Sequence, residues 1–454
     1  MTEPRQLVDR IWAHDASLWT GDDEGEWLGW LDAPGQNRAL VPELEGFARD
    51  ASEDGLDTFV LLGMGGSSLA PEVLRGLFRA ESFHVLDTTH PGAIRRLESR
   101  IELDRTLFLA ASKSGSTLET RSHLDLFWER TGGRGASFVA ITDPGSSLEA
   151  LARERGFRKV FHGDPAIGGR YSALSPFGLV PAALMGVDVG RLLERAHELA
   201  EACRSAQGNP GLELGLQLGE GWRAGRDKVC LDDASGSLFG LWAEQLIAES
   251  TGKDGKGLVP APGEDPGAGP DRERGEVRLS DPYEVGQEFY RWEFATAVAG
   301  SILGINAFNQ PNVQEAKDST NAILERGEEP GLEPESSPAE LFAQARPGDY
   351  IVVQAFVDPA SQPHLETLLE QARGTGCVVT GGLGPRYLHS TGQLHKGGPD
   401  TGLFLQVVDD PGEELPIPGK PFGFRRLIRA QAAGDYEALK ERGRRVARVR
   451  LEDL

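Results

Sequence analysis

The chain predicts an α/β protein of two parallel-sheet units, each sheet flanked by helices, and three observations predict it. From Asp57 to Asp143 short apolar runs alternate with segments of helical period. A second alternation of the same kind begins near Lys228 and ends late in the chain. Two of the strand-to-helix turns, Gly63-Met64-Gly65-Gly66-Ser67-Ser68 and Ser112-Lys113-Ser114-Gly115-Ser116-Thr117-Leu118-Glu119-Thr120, are rich in glycine and hydroxyl groups. Such turns place backbone N–H groups at a helix N-terminus beside O–H donors, an arrangement suited to a phosphate dianion. Two of them on separate strands predict a phosphorylated small molecule at the carboxyl ends of a parallel sheet.

Taken in order, residues 1–50 carry Trp12, Trp19, Trp27 and Trp30 on amphipathic helical stretches, an aromatic stripe expected to pack on the main body. In the first unit, residues 51–205, the expected strands are Thr58–Leu62, Phe83–Leu86, Leu107–Ala111 and Ser137–Ile141. In the second, residues 206–420, they are Val229–Leu231, Tyr350–Val353, Cys377–Thr380 and Leu403–Val407. Residues 260–278, rich in Pro, Gly and charge, and the acidic residues 326–340 are expected as exposed loops or linkers, the second a candidate for disorder. Residues 421–454 are expected as a helical tail.

With 454 residues the chain can bury a large core, and two domains are the natural expectation. Its 47 Lys and Arg stand against 70 Asp and Glu, a net charge of −23 that argues against nucleic acid or an anionic membrane as partner. The N-terminus lacks an apolar signal core, and the longest apolar run, Phe177 to Val187, is too short to span a bilayer. Cys203, Cys230 and Cys377 are odd in number and scattered, without paired metal spacing. They fit reduced thiols, and the whole fits a soluble cytoplasmic enzyme.

Four further segments carry chemistry-bearing side chains. Gly168-Gly169-Arg170-Tyr171-Ser172 allows a tight turn that aims a guanidinium into a cleft. Ala248-Glu249-Ser250-Thr251-Gly252-Lys253 puts a carboxylate at the end of an apolar helix. Phe308-Asn309-Gln310-Pro311-Asn312-Val313-Gln314-Glu315-Ala316-Lys317 and His389-Ser390-Thr391-Gly392-Gln393-Leu394-His395 complete the set. Singly, each has an ordinary structural explanation: a solvated Glu249 or Lys317, an ion-paired Arg170, a loop histidine at 389. Gly63-x-Gly65 before a helix, with Asp87 ending the next strand, also competes with a dinucleotide fingerprint, whose third glycine is missing.

Together the segments resemble the glucose-6-phosphate isomerase family from about residue 57 onward, most closely the isomerase half of bacterial transaldolase/glucose-6-phosphate isomerase fusions. Gly65-Gly66-Ser67 and Ser112–Thr120 are similar to the phosphate loops of its sugar isomerase (SIS) domains. Gly168–Gly178 is similar to the first family signature, Phe308–Lys317 to the second, and the segment around Glu249 to the Glu-Ser-x-Gly-Lys element. The departures are Asn309, Asn312 and Gln314, where the signature has Asp, Gly and Glu. The family's ring-opening histidine normally precedes the second signature, yet no histidine lies between Glu249 and Phe308. Its sequence context appears at His389, with His395 as the reserve.

The resemblance implies two SIS-type units and aldose–ketose isomerisation between glucose 6-phosphate and fructose 6-phosphate through a cis-enediol. Glu249 would move the proton between C2 and C1, Arg170 would stabilise the developing oxyanion, and His389 with Lys317 would open the sugar ring. Gly66, Ser67, Ser112, Lys113, Ser114, Thr117 and Gln310 would bind substrate. No cofactor or metal is implied. A homodimer is, with the histidine reaching into the neighbouring subunit's site. Three other functions are weighed against it: an isomerase that also accepts mannose 6-phosphate, a non-catalytic sugar-phosphate sensor, and an NAD-binding protein. The sensor would need the phosphate loops without the acid–base set.

Overall fold

The computed structural model describes residues 3–327 and 329–454, with the side chains of residues 313–317 outside that description. The first unit is a five-stranded sheet of β1 (Thr58–Leu62), β2 (Phe83–Leu86), β3 (Thr106–Ala111), β4 (Phe138–Thr142) and β5 (Lys159–His162). Its order is β2-β1-β3-β4-β5 and every pairing is parallel. β1, β3 and β4 are buried almost throughout, which is why they read as continuous apolar runs (Phe-Val-Leu-Leu, Leu-Phe-Leu-Ala-Ala) without alternation. β5 was not expected; its Lys-Val-Phe-His sequence is short, lies at an edge and is only partly buried.

Because β2 and β3 flank β1 on opposite sides, the chain reverses direction between the carboxyl ends of β1 and β3. That switch point is where a doubly wound sheet opens a crevice. The two hydroxyl-rich turns, Gly63–Ser68 and Ser112–Thr117, are the segments that leave those two strand ends.

The second unit departs from expectation. β9 (Tyr350–Phe356), β10 (Val378–Leu383), β11 (Gly402–Val408) and β12 (Arg445–Arg450) form one parallel sheet in the order β10-β9-β11-β12. The strand at Val229–Leu231 does not join it. As β6 (Lys228–Asp233) it lies in a separate three-stranded sheet between β7 (Val259–Pro262) and β8 (Arg272–Val277). Thus residues 260–278, expected as exposed loop, supply most of two strands.

The break between the sheets has a local cause. The Val259 N–H donates to the Asp227 carbonyl, on the β6 side. Pro260 and Pro262 occupy the alternate positions, so the side turned away from β6 has no N–H to offer. β7 and β10 therefore lie side by side without a ladder, held by a shared apolar cluster of Val259, Ala261, Val378, Tyr350 and Phe404.

The helical tail is also corrected. After the Phe424–Glu441 helix, Arg445-Val446-Ala447-Arg448-Val449-Arg450 forms β12, whose Ala447 and Val449 are buried. At the N-terminus the tryptophans do pack on the body. Trp30 stacks on Tyr171 at 5.2 Å, and Trp19 packs edge-on to Phe308 at 5.2 Å while its indole N–H donates to the Ala297 carbonyl at 2.9 Å. Both contacts brace segments that carry site residues.

The second sheet has its own switch point, between β9 and β11, but it is filled. The Asp358 N–H donates to Asp409 Oδ2 at 2.8 Å, and His90 of the first unit reaches Asp409 Oδ1 at 3.3 Å. Arg96 grips both Asp358 oxygens. The first unit thus plugs the crevice of the second.

Candidate active site

The site is built where the first crevice meets the Phe239–Thr251 helix. The Gly65–Ser67 turn must pass between two other backbones. Gly65 has φ +53°, and a Cβ there would lie 2.4 Å from the His389 carbonyl oxygen. A Cβ on Gly66 would lie 2.2 Å from the Gly169 carbonyl oxygen. Only glycine fits at either place, so the first loop locks the Arg170 and His389 segments together. In the second loop Ser112 Oγ and Thr117 Oγ1 are 2.9 Å apart, and the Gly115 N–H donates to Ser112 Oγ at 3.1 Å. Ser114 lies on the exposed rim, 3.0 Å from Ser116 Oγ.

Arg170 is 2% exposed and held on every side. Its Nε donates to Ser250 Oγ at 2.8 Å and its Nη1 to Gln310 Oε1 at 2.9 Å. Nη2 donates to the carbonyls of Ala307 at 2.8 Å and Asn309 at 3.0 Å. Nη1 also lies 3.6 Å from Glu249 Oε1, so the guanidinium and the carboxylate are neighbours in a nearly closed space. Glu249 is 8% exposed, and its Oε2 accepts from Gln245 Nε2 at 2.9 Å, one helical turn back. The same Gln245 nitrogen donates to the His389 carbonyl at 2.8 Å, which ties the histidine turn to the carboxylate helix.

His389 ends the Arg386–His389 turn, and its Nε2 lies 2.9 Å from Glu119 Oε1. Gln431 Nε2 donates to the same oxygen at 2.7 Å. With Nε2–H donating to the carboxylate, Nδ1 is the ring nitrogen left to exchange a proton. All these contacts lie within one chain. Within the chain, Gln245, Gly65 and Glu119 hold the His389 turn beside the Glu249 helix.

The other expected residues divide. Ser112 and Thr117 meet in the second loop, Ser67 lies in the first, after the neighbouring strand of the same sheet, and Gln310 holds Arg170. Lys113 does not offer a free ammonium to it, since its Nζ is 2.6 Å from Asp143 Oδ2 and 2.9 Å from the Asp164 carbonyl. The Lys317 side chain lies outside the described residues; its backbone belongs to the Val313–Glu325 helix. His395, the reserve candidate, is a core residue packed between Tyr387 and Phe404, 3.1 Å from Gln354, and burial holds it well below the usual imidazole range. Among the described residues no His, Cys, Asp and Glu group could hold a metal ion.

Sequence reasoning missed Glu119, Gln245 and Gln393. Glu119 lies inside the second loop motif, and Gln245 stands four residues before Glu249 on the same helix, so both had a signal. Gln393 had only its place in the His389 context. Its amide accepts from the Asn312 N–H at 2.9 Å and donates to the Gly252 carbonyl at 2.9 Å, pinning the loop that carries Gln310.

Residues 45–226 match the family model described as phosphoglucose isomerase. A glucose-6-phosphate isomerase of Synechococcus sp. (strain JA-3-3Ab) is 36% identical over 288 residues, covering 55% of this chain and 54% of that protein. One of Carboxydothermus hydrogenoformans is 29% identical over 411 residues, 68% of this chain and 87% of that protein. The chain spans about half the length of the first curated relatives it matches. Among solved structures, a glucose-6-phosphate isomerase from Chlamydia trachomatis has a TM-score of 0.59 at 18% identity, covering 72% of this chain and 84% of that one. A hypothetical protein from Thermus thermophilus has a TM-score of 0.51 at 23% identity, covering 98% of this chain and 83% of that one. Both structural likenesses concern the fold. The chain is thus similar to phosphoglucose isomerases, over residues 45–226 by the family model and over 68% of its length by the Carboxydothermus hydrogenoformans protein.

Proposed function

We propose that this protein interconverts glucose 6-phosphate and fructose 6-phosphate by proton transfer through a cis-enediol. The observation that carries this is the pairing of Glu249 with Arg170 at 3.6 Å, both nearly buried, beside two hydroxyl-rich loops at one sheet crevice. The loops suit the 6-phosphate: Ser67, Ser112 and Thr117 supply O–H donors, and the helix beginning at Leu118 adds its N-terminal N–H groups and dipole. That anchorage would leave the C1–C2 end of the sugar near Glu249.

Each step then has a group suited to it. Glu249 takes the proton from C2 and returns it to C1, acting as base and then as acid. Arg170, already oriented by Ser250 and two carbonyls, needs no reorganisation to stabilise the enediol oxygen as it gains negative charge. Hexose phosphates are mostly cyclic, so the ring must open first. His389 Nδ1 would exchange that proton, with Glu119 fixing the tautomer. Lys317 is kept as a proposed helper of this step. Gly66 positions the first loop, and Gln310 holds the outer arm of Arg170. Ser114 and Lys113 would bind only at the rim, Lys113 as a rigid strut between the second loop and Asp143.

The setting we propose is a cytoplasmic homodimer, and sedimentation of the purified protein tests the subunit number. Activity is tested by supplying glucose 6-phosphate and following fructose 6-phosphate with a coupled dehydrogenase, beside the Glu249→Gln variant. That variant keeps the Gln245 contact and the fold, and is expected to turn over ~10²–10⁴ slower, the scale of a positioned base. Turnover by wild type and variant at the same rate would reject Glu249 as the base. Binding without turnover by the wild type would favour the sensor.

A further inference from the structure

A second polar cleft lies away from this site, between edge strand β2 and the segment that follows β10. It is a cavity of about 330 Å³ lined by Arg75, Arg96, Arg100 and Arg386 against two carboxylates, Glu72 and Asp87. In a chain of net charge −23, four guanidiniums converging on one cleft are a local reversal of the field. None of these residues belongs to the candidate active site.

The arginines are not all spent on ion pairs. Glu72 takes Nε and Nη2 of Arg75, each at 2.7 Å, and leaves Nη1 out of those bonds. Arg96 is held by Asp358. Arg100 is exposed and has no carboxylate partner among the described residues. Arg386 approaches Asp87 Oδ2 only to 3.6 Å, and that oxygen is buried without a hydrogen-bond partner. Burial raises the Asp87 carboxyl above its usual range, which favours the protonated form, the only one able to donate to an anion. Burial, then the charges of Arg75 and Arg100, lowers the nearby His84 imidazole, in keeping with a positive cleft. Leu97 and Leu383 form an apolar wall that lowers the local dielectric and suits a short carbon skeleton.

We propose that this cleft is a second anion site, taking a small phosphate ester through Arg75, Arg100 and Arg386. Its size is at the lower end for small-molecule pockets, and it lies between two α/β units, where such sites concentrate. The phosphate would sit on the guanidiniums and the carbon chain on the apolar wall.

The test is calorimetric titration of the full chain with inorganic phosphate and, separately, with glycerol 3-phosphate. The Ser112→Ala/Thr117→Ala variant is used to weaken binding at the catalytic loops. Residual binding of one equivalent is expected, with the ester at least as tight as inorganic phosphate. Adding Arg100→Glu, an exposed change that leaves the fold intact, should weaken the residual site at least tenfold. Isomerase activity without added phosphate should not change. No binding left in the loop variant, or residual binding indifferent to Arg100→Glu, would overturn the proposal. If the catalytic loops bind no phosphate, the unmodified chain itself should show a single site that Arg100→Glu removes, so the two assignments fail separately.

Discussion

Arg170 shows how little freedom the candidate site leaves its charged groups. Four hydrogen bonds hold the guanidinium, and only one edge of it faces Glu249. Arg170→Ala should therefore cost roughly 3–4 kcal/mol of transition-state stabilisation, the scale of a lost oxyanion donor. A fall in kcat/KM carried by kcat is the expected result; a change confined to KM would make Arg170 a binding group. His389 yields a second prediction. His389→Ala should be severely impaired on cyclic substrate and much less so on open-chain material, where Glu249 still exchanges the C2 proton. The contacts of His389 with Glu119 and Gln245 of the same chain favour action in its own site, and on that reading mixing His389→Ala with Glu249→Gln protomers should restore no activity. Recovery in verified mixed dimers would show that the histidine crosses between subunits after all.

At the scale of elements, the Gly65–Ser67 turn is where three segments meet. Gly66→Ala would push a methyl carbon into the Gly169 carbonyl at 2.2 Å, and the obstacle is backbone, which cannot swing aside. Overpacking of this kind costs about 1–3 kcal/mol. The variant should melt a few degrees lower and bind substrate or inorganic phosphate more weakly, since the loop and the Arg170 turn must separate. An unchanged melting point with unchanged KM would mean that the two backbones part easily. The prolines of β7 act at the same scale: Pro260 and Pro262 decide that the second unit has two sheets where alternation alone suggested one.

Across the whole molecule, the interface between the units holds carboxyl groups out of water. Glu244 is buried behind the site, near Arg386 and 3.4 Å from Thr380 Oγ1, and burial pushes its carboxyl up to about 8 from an ordinary 4.5. The sign follows from proton counts. Below about 4.5 both folded and unfolded chains hold the proton; between there and about 8 only the folded chain does. Stability is thus lost as pH rises through that window, by about 1.4 kcal/mol per unit at most. Glu244→Gln has no proton to release, so its melting temperature should gain on the wild type steadily as pH is raised across the window. Parallel pH curves for the two proteins would place the Glu244 carboxyl in the ordinary range.

Much of this protein was legible in its sequence because the information was local. The first sheet followed from uninterrupted apolar runs at Phe59–Leu62 and Leu107–Ala111, short and bounded by turn residues, which fit strands buried on both faces. The loops followed from hydroxyl and glycine residues placed directly after those strands. Glu249, Arg170 and His389 stood in motifs whose residue types match a chemistry. What the sequence left open depended on residues far apart in the chain meeting. Glu119 and His389 are 270 positions apart, so no spacing rule pairs them. Lys113 looked like a phosphate ligand until Asp143 and the Asp164 carbonyl were seen to occupy it. Alternation gives each parallel sheet a switch point, and nothing local says that His90 fills the second one. Motif and alternation are set by neighbours along the backbone. Which charges are paired and which crevice stays open are decided only when distant segments compete for the same space.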